Sequence, residues 1–158
     1  MKNIKFSKTV ISFLTGSIVG AIGIGKYAQK NIGESYKKIN KFKNYYNVLT
    51  QWLALKQKNQ SLEKYFIDNG YKTVAVYGMG ELGNRLYEEL KETEIIIKYG
   101  IDKNGGFGEI EILDIDDELP EVDVVVVTAV FDFDKIEGNL RDKVNCPVIS
   151  LEDIVYDC

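Results

Sequence analysis

From Tyr71 to the end of the chain, short apolar runs alternate with segments of helical periodicity. The runs are rich in β-branched residues and have no polar face, as in strands that are buried on both sides of a parallel sheet. Strands are predicted at residues 73–77, 95–101, 109–113, 123–129 and 146–150, helices at 84–92 and 133–143, and a closing turn at 151–154. This alternation predicts an α/β fold with a Rossmann-like parallel sheet in the order 3-2-1-4-5, which binds its ligand at the carboxyl ends of strands 1 and 4.

An amphipathic pattern precedes this region. Apolar residues recur every three to four positions over residues 34–58, which predicts a helix with one apolar and one lysine-rich face. The apolar face comprises Tyr36, Ile39, Phe42, Tyr46, Leu49 and Leu53, to which Trp52 adds. Such a face can pack on the α/β domain or lie along a membrane, and we expect it to pack in the core. A short helix then begins after Ser61 and ends at Asn69-Gly70.

The N-terminal segment from Thr9 to Gly25 carries no charge and is flanked by Lys8 and Lys26. As a helix it spans roughly 26 Å, slightly less than the hydrocarbon core of a bilayer, and the flanking lysines can snorkel. We interpret it as a retained transmembrane helix; a cleaved signal peptide, a buried core helix and an interfacial helix are the alternatives. The predicted domains are a membrane anchor at 1–30, a helical linker at 31–70 and a Rossmann-like nucleotide-binding domain at 71–158.

Small residues recur every four positions within the predicted anchor. One row is Ser12, Gly16 and Gly20, and a second row is Ser17, Ala21 and Gly25. Because such rows let helices approach closely in lipid, we regard the chain as a candidate homo-oligomer. Glycine is also simply common in membrane helices, which is the alternative explanation.

Charge is divided unevenly along the chain. Residues 1–60 carry eleven lysines and one acid, whereas the rest carries nine basic and 23 acidic residues, for a net charge of −4. A basic half can face nucleic acid or an anionic membrane, and the adjacent apolar segment favours the membrane. More lysines follow that segment than precede it, which predicts a single-pass protein of the cell membrane with its globular part on the cytoplasmic side.

Composition also limits the available chemistry. The chain has no histidine, so histidine-based catalysis and histidine metal sites are excluded. Cys146 and Cys158 have neither a zinc-binding spacing nor the number needed for a disulfide framework. The acidic stretch at residues 114–118 lacks the glycine-bearing pattern of a calcium loop, so we predict a solvated loop and no metal site.

A glycine motif follows the first predicted strand directly and opens a helix, the context in which it binds phosphate. The first glycine allows a tight turn, the second lets the backbone approach a pyrophosphate, and the third lets helix and strand pack closely. The helix N-terminus then faces the anion. The predicted ligand contacts in this motif are Gly78, Met79, Gly80, Glu81, Leu82 and Gly83. Glu81 would repel a phosphate unless its carboxylate points away, although it also complements the helix dipole.

Four further site residues are predicted at strand ends. Asp102 follows Gly78 by 24 positions and ends the second strand, where an acid commonly accepts hydrogen bonds from ribose hydroxyls; ordinary turn chemistry is the alternative. Lys103 begins a loop that either closes on a ligand or merely turns. Thr128 and Ala129 end the fourth strand and are expected beside the glycine turn.

Catalytic equipment is missing from the sequence. The region after the fourth strand reads Phe131-Asp132-Phe133-Asp134-Lys135 and holds no Tyr-x-x-x-Lys pair. No substrate domain fits in the remaining residues, and no nucleophile–base constellation is visible. The sequence therefore favours binding over catalysis, and predicts no catalytic residues.

The chain from about Trp52 onward resembles a group of small bacterial proteins encoded with cell-surface polysaccharide genes. The resemblance is carried by the motifs Trp52-Leu53, Tyr77-Gly78-x-Gly80-x-x-Gly83, Tyr99-Gly100-Ile101-Asp102 and Cys146-Pro147-Val148-Ile149-Ser150. The glycine turn and Ile101-Asp102 are also similar to the Rossmann-like domain of membrane-bound nucleotide-sugar dehydratases. Lys103 stands where that family has a second acid, and the dehydratases' catalytic domain has no counterpart here.

The resemblance implies a membrane-anchored accessory protein of polysaccharide biosynthesis that binds a nucleotide or nucleotide-sugar beside glycan-assembly enzymes. The sequence does not identify the ligand; NAD and a nucleotide-sugar are the two candidates. A sensor of NAD(H)-type nucleotides and an interaction module with an empty site are the alternatives, and an oxidoreductase ranks below them for want of a substrate domain.

Overall fold

The structure is a computed structural model that describes residues 8–103 and 110–158, with side chains described from residue 32 onward within those ranges. The side chains of the predicted anchor, Thr9–Gly25, therefore lie outside the described residues. Among the residues that could be searched, no helix is long and apolar enough to cross a bilayer.

Contacts divide the chain into two compact units, Met1–Lys43 and Asn44–Cys158. The first contains most of helix α1, which runs without a break through Lys8–Gln57. The second contains the end of α1 and all the elements that follow. These elements are α2 (Glu63–Asp68), β1 (Thr73–Tyr77), α3 (Glu81–Leu90), β2 (Ile96–Ile101), β3 (Glu111–Leu113), β4 (Val124–Val127), a 3₁₀ turn (Val130–Asp132), α4 (Phe133–Leu140), β5 (Val148–Ser150) and α5 (Leu151–Asp157).

The five strands form one parallel sheet in the order β3-β2-β1-β4-β5, which confirms the predicted α/β fold and strand order. The central strands are apolar on both faces because helices cover both sides of a parallel sheet. All four valines of β4 are fully buried, as are Val74, Ala75 and Val76 of β1. The carboxyl ends of β1 and β4 therefore lie side by side, Tyr77 opposite Val127.

The segment after β5 is a helix and not the predicted closing turn. Helix α5 begins after Ser150, whose hydroxyl accepts a hydrogen bond from the N–H of Glu152 at 3.2 Å. Glu152 and Asp153 in its first turn complement the helix dipole. This serine cap and the acidic first turn are the features that make the segment helical.

The prediction that the apolar face of residues 34–58 packs in the core is wrong except for Trp52. The six residues of its regular row are exposed, from 45 % at Leu49 to 73 % at Phe42. The end of α1 instead packs through a neighbouring stripe, Val48, Trp52 and Leu55, which are 0, 5 and 3 % exposed and join the core beside Phe66. The helix therefore has two apolar stripes, one exposed and one, at its C-terminal end, buried in the core.

Candidate functional site

The glycine turn lies at the carboxyl end of β1 and is held from both sides. Gly78 donates its N–H to the Ile101 carbonyl of β2 at 2.9 Å, and Thr128 donates its N–H to the Tyr77 carbonyl of β1 at 2.9 Å. Because parallel strands end at the same edge, the ends of β2 and β4 flank the turn. The structure thus brings the predicted residues of strands 1, 2 and 4 to one edge of the sheet.

The three glycines occupy three different environments. Gly78 has φ +93°, which side-chain-bearing residues rarely adopt, and a Cβ there would lie 2.9 Å from the Thr128 hydroxyl oxygen. A Cβ on Gly83 would overlap the carbonyl oxygen of Gly78, so helix α3 can pack on the turn only without a side chain. A Cβ on Gly80 would meet no heavy atom within 4 Å. The tight turn, the open approach and the close packing that a phosphate-binding motif needs are therefore all present.

Helix α3 begins at the open glycine. Gly80 is its N-cap residue, with extended backbone and no side chain that caps the helix. Its carbonyl accepts the N–H of Asn84 at 2.9 Å, whereas the first N–H groups of an α-helix have no partner within the helix. An uncapped N-terminus with an open face can accept an anion through N–H groups and the helix dipole.

Asp102 contacts the glycine turn directly. Its Oδ2 accepts a hydrogen bond from the Met79 N–H at 2.9 Å, and the residue is half-buried. This contact joins the end of β2 to the turn across 23 positions of sequence. The carboxylate thus occupies one of the N–H groups of the turn.

Thr128 supports the turn with its side chain. It is 4 % exposed, and its hydroxyl lies within hydrogen-bonding distance of two carbonyl oxygens, those of Gly78 and Tyr77. The single hydroxyl proton is therefore directed at the backbone of the turn. Ala129 lies next to it, its N 3.6 Å from where a Cβ on Gly78 would stand.

The remaining predicted residues divide between core and solvent. Met79 and Leu82 are 2 and 4 % exposed and pack in the core, so only their backbone can face a ligand. The Glu81 side chain is 90 % exposed, and its carboxylate lies 3.8 Å from the Arg85 guanidinium. Lys103 is exposed, and the loop predicted after it falls on residues 104–109, which lie outside the described residues.

Sequence reasoning missed two residues at the turn. The Asn84 side-chain Nδ2 donates to the Met79 carbonyl at 3.3 Å, while its Oδ1 is buried and has no hydrogen-bond partner among the described residues. Gly100 on β2 leaves room for Met79, because a Cβ there would lie 2.6 Å from the Met79 Cγ. The position of Asn84 in the first turn of α3 was the available signal, whereas Gly100 was noted only as part of the Tyr99-Gly100-Ile101-Asp102 motif, without a structural role.

The surroundings of the turn favour a protonated phenol and solvated carboxylates. Burial is the largest cause of a raised pKa at Tyr77, and the negative charges of Asp102 and Asp114 raise it further. In the acidic stretch, Asp114 donates its N–H to Asp117 at 2.8 Å, and Asp116 pairs with Lys143 at 2.7 Å. Among the described residues no group of three potential ligands could hold a metal ion.

Two described cavities differ in their distance from the turn. One of about 210 Å³ is lined by residues 130–135, just beyond the carboxyl end of β4. Another of about 240 Å³ lies at the opposite edge, where residues 119–122 and 143–146 precede β4 and β5. Only the first borders the edge that carries the glycine turn.

Comparison of the chain with protein-family models, with curated proteins and with solved structures finds no match.

Proposed function

We propose that the chain binds a nucleotide or nucleotide-sugar at its glycine turn and acts as an accessory protein without turnover of its own. The open space at Gly80, directly at the uncapped N-terminus of α3, is the observation that carries this proposal. Gly78 and Gly83 support it because each occupies a position that excludes a side chain. The combination provides backbone donors and room for a phosphate.

The cellular setting rests on sequence alone. The uncharged segment Thr9–Gly25 and the lysines that follow it favour a membrane anchor with the sheet unit on the cytoplasmic side. Nucleotides are available on that side. The resemblance of the glycine turn to polysaccharide-locus proteins favours glycan-assembly enzymes as partners and a UDP-sugar or NAD as ligand.

Calorimetric titration of the full chain with NAD⁺, NADH, a UDP-sugar and coenzyme A tests the binding step. We expect Gly80→Val to abolish the heat, because its side chain fills the space that the phosphate needs. Gly138→Val is the matched control, since Gly138 lies in α4 and also has nothing within 4 Å of its Cβ position. Equal loss in both variants would contradict a phosphate site at the turn.

Asp102 tests the ribose contact separately. A carboxylate that accepts from ribose hydroxyls contributes roughly 1.5–3 kcal/mol, so Asp102→Ala should weaken binding of a ribonucleotide about 10- to 100-fold. Because Asp102 also binds the Met79 N–H, the variant loosens the turn for every ligand. A 2′,3′-dideoxy analogue isolates the difference: it should lose much less affinity, and an equal loss would leave Asp102 with a role in the turn only.

An interaction module with an empty site is the second candidate. It is favoured by the Asp102 carboxylate, which already satisfies one N–H of the turn from within the protein. The exposed Glu81 carboxylate points the same way, since it adds negative charge at the first residue of α3. No heat at millimolar ligand, for either the wild type or Glu81→Gln, would favour this candidate over nucleotide binding.

A further inference from the structure

Helix α1 carries a row of large apolar side chains that are exposed to solvent. In the first unit Ile32, Ile39 and Phe42 are 55, 61 and 73 % exposed. In the second unit Tyr46, Leu49 and Leu53 are 70, 45 and 58 % exposed. We call these six residues the seam. Isolated exposed apolar residues are ordinary, but a row of six along one helix marks an interaction surface.

The spacing of the seam identifies the kind of partner. From Ile39 the intervals alternate 3, 4, 3, 4, and Ile32 lies one heptad earlier. Ile32, Ile39, Tyr46 and Leu53 thus occupy a positions, and Phe42 and Leu49 occupy d positions. Ser35 takes the d position between Ile32 and Ile39, and the exposed Tyr36 takes the neighbouring e position. From Ile39 to Leu53 the exposed large apolar residues fall only at a and d positions, which is the narrow stripe of a coiled coil, whereas a helix that lies on a bilayer surface or covers a core has a wider apolar face.

The seam is separate from the stripe that holds the helix to the sheet. Successive residues are about 100° apart around a helix, so Tyr46, Leu49 and Leu53 lie about 100–180° around the helix from Val48 and Leu55. Val48 and Leu55 are 0 and 3 % exposed and belong to the core. A second helix can therefore occupy the seam while the first stripe stays packed.

We propose that the seam pairs with the seam of a second copy of this chain, as a parallel two-stranded coiled coil. Six side chains of this size and exposure offer on the order of 700 Å² per copy, close to the roughly 800 Å² that each partner contributes to an interface of standard size. In parallel register each seam residue meets its own equivalent, so the surface is self-complementary along its length. β-Branched residues at a, here Ile32 and Ile39, favour two parallel strands.

The lysines beside the seam predict that the strength of this pairing depends on salt. Lys38 occupies a g position and Lys43 the following e position, and both are exposed. In a parallel pair, each Lys38 faces Lys43 of the other copy, so the flanks repel. Apolar burial holds the helices together against that repulsion. Added salt should therefore tighten the dimer, whereas it weakens attachment to an acidic protein or an anionic membrane.

Sedimentation equilibrium of the full chain in neutral detergent tests the proposal. Lys43→Glu converts two repulsive flanking pairs per dimer into attractive pairs and should tighten the dimer roughly 5- to 30-fold. Lys37→Glu is the matched control: it makes the same charge change at an exposed f position on the far side of the helix, and should change affinity less than about threefold. Raising NaCl from about 0.05 to about 0.5 M should tighten the wild-type dimer.

A second variant separates the seam from other routes to association. Phe42→Gln with Leu49→Gln removes two d residues that are exposed in one copy, so the sheet unit keeps its core. The dimer should weaken at least about 100-fold. A dimer unaffected by these changes, or one weakened by Lys43→Glu, overturns the proposal. A chain that is monomeric in neutral detergent, and attaches only to micelles containing phosphatidylserine, assigns the face to an anionic membrane and also overturns it.

Discussion

An aspartate lies at each end of the parallel sheet, and the two aspartates make different contacts. At the amino end, Asp123 Oδ2 accepts hydrogen bonds from the N–H groups of Lys72 and Thr73, at 2.9 and 2.7 Å, and from the Thr73 hydroxyl. At the carboxyl end, Asp102 Oδ2 accepts a hydrogen bond from the Met79 N–H at 2.9 Å, and the adjacent N-terminus of α3 has no side-chain cap. One end is closed by its own side chains, and the other keeps room for an outside acceptor.

Helix α3 shows the same contrast, because it begins at the open end and returns to the closed one. Glu81 at its start has a side chain that is 90 % exposed. The Glu89 side chain near its end is 7 % exposed and accepts from the Trp52 indole N–H, the Ser61 hydroxyl and the Leu62 N–H. We therefore expect removal of the Glu89 carboxylate to cost more stability than removal of the exposed Glu81 carboxylate, because the buried donors around Glu89 would lose their acceptor.

A large loss of stability is expected from placing a side chain at Gly83, where the open end of the sheet has no room for one. Gly83→Ala places a Cβ against the Gly78 carbonyl oxygen, so helix and turn must separate. We expect a loss of about 3 kcal/mol or more in the free energy of unfolding, measured with urea and the fluorescence of Trp52, the only tryptophan. Gly138→Ala, in an open helical position, should instead stabilise by about 0.5–1 kcal/mol. Equal effects would mean that the turn can move away from α3.

The closed end is tested by removing its buried carboxylate. Glu89→Ala leaves the Trp52 indole and the Leu62 N–H without their acceptor and Lys56 without its partner, so we expect a loss of about 3–5 kcal/mol. Glu88→Ala, one position away with a side chain 54 % exposed, should change stability by less than about 1 kcal/mol. If the two variants unfold at the same urea concentration, the closed end is not where stability is concentrated.

Sequence pattern predicted the sheet well because burial on both faces leaves a strong local signal. The four valines of β4 and the run from Thr73 to Tyr77 could hardly form anything else, and the strand order followed from the alternation with helices. The glycine spacing likewise predicted the strand–turn–helix context. These features depend on residues that are neighbours in the sequence.

Features that depend on distant contacts were not predictable in this way. The apolar row from Tyr36 to Leu53 has a strong periodicity, but periodicity does not reveal whether a stripe meets this chain's core or another helix. Val48 and Leu55, which do enter the core, form a shorter and less conspicuous stripe. The bond between Asp102 and Met79 and the four donors around Glu89 join residues 23 to 37 positions apart, where local pattern carries no information.

The smallest expected effect is a change of stability at acid pH, which tests what the Asp123 carboxylate contributes at the closed end. The N–H groups of Thr73 and Lys72 lower the pKa of Asp123 below its ordinary value of 3.8. As pH falls, the Asp123 carboxylate is therefore protonated in the unfolded chain at a higher pH than in the folded chain. The stability that Asp123 contributes is complete above pH 3.8 and is lost as pH drops through its lower folded value.

Comparing the wild type with Asp123→Asn by urea unfolding measures this contribution. We expect a constant difference at neutral pH that shrinks below pH 3.8, because the wild-type carboxylate then becomes neutral as well. Tyr99→Phe is the control: burial raises the pKa of Tyr99 to about 12, so its hydrogen bond to the Pro120 carbonyl does not change in acid. Its stability difference from the wild type should stay flat over the same range. A difference for Asp123→Asn that is equally flat would show that the neutral carboxyl holds the strand start as well as the charged one, and that the closed end depends on hydrogen-bond geometry alone.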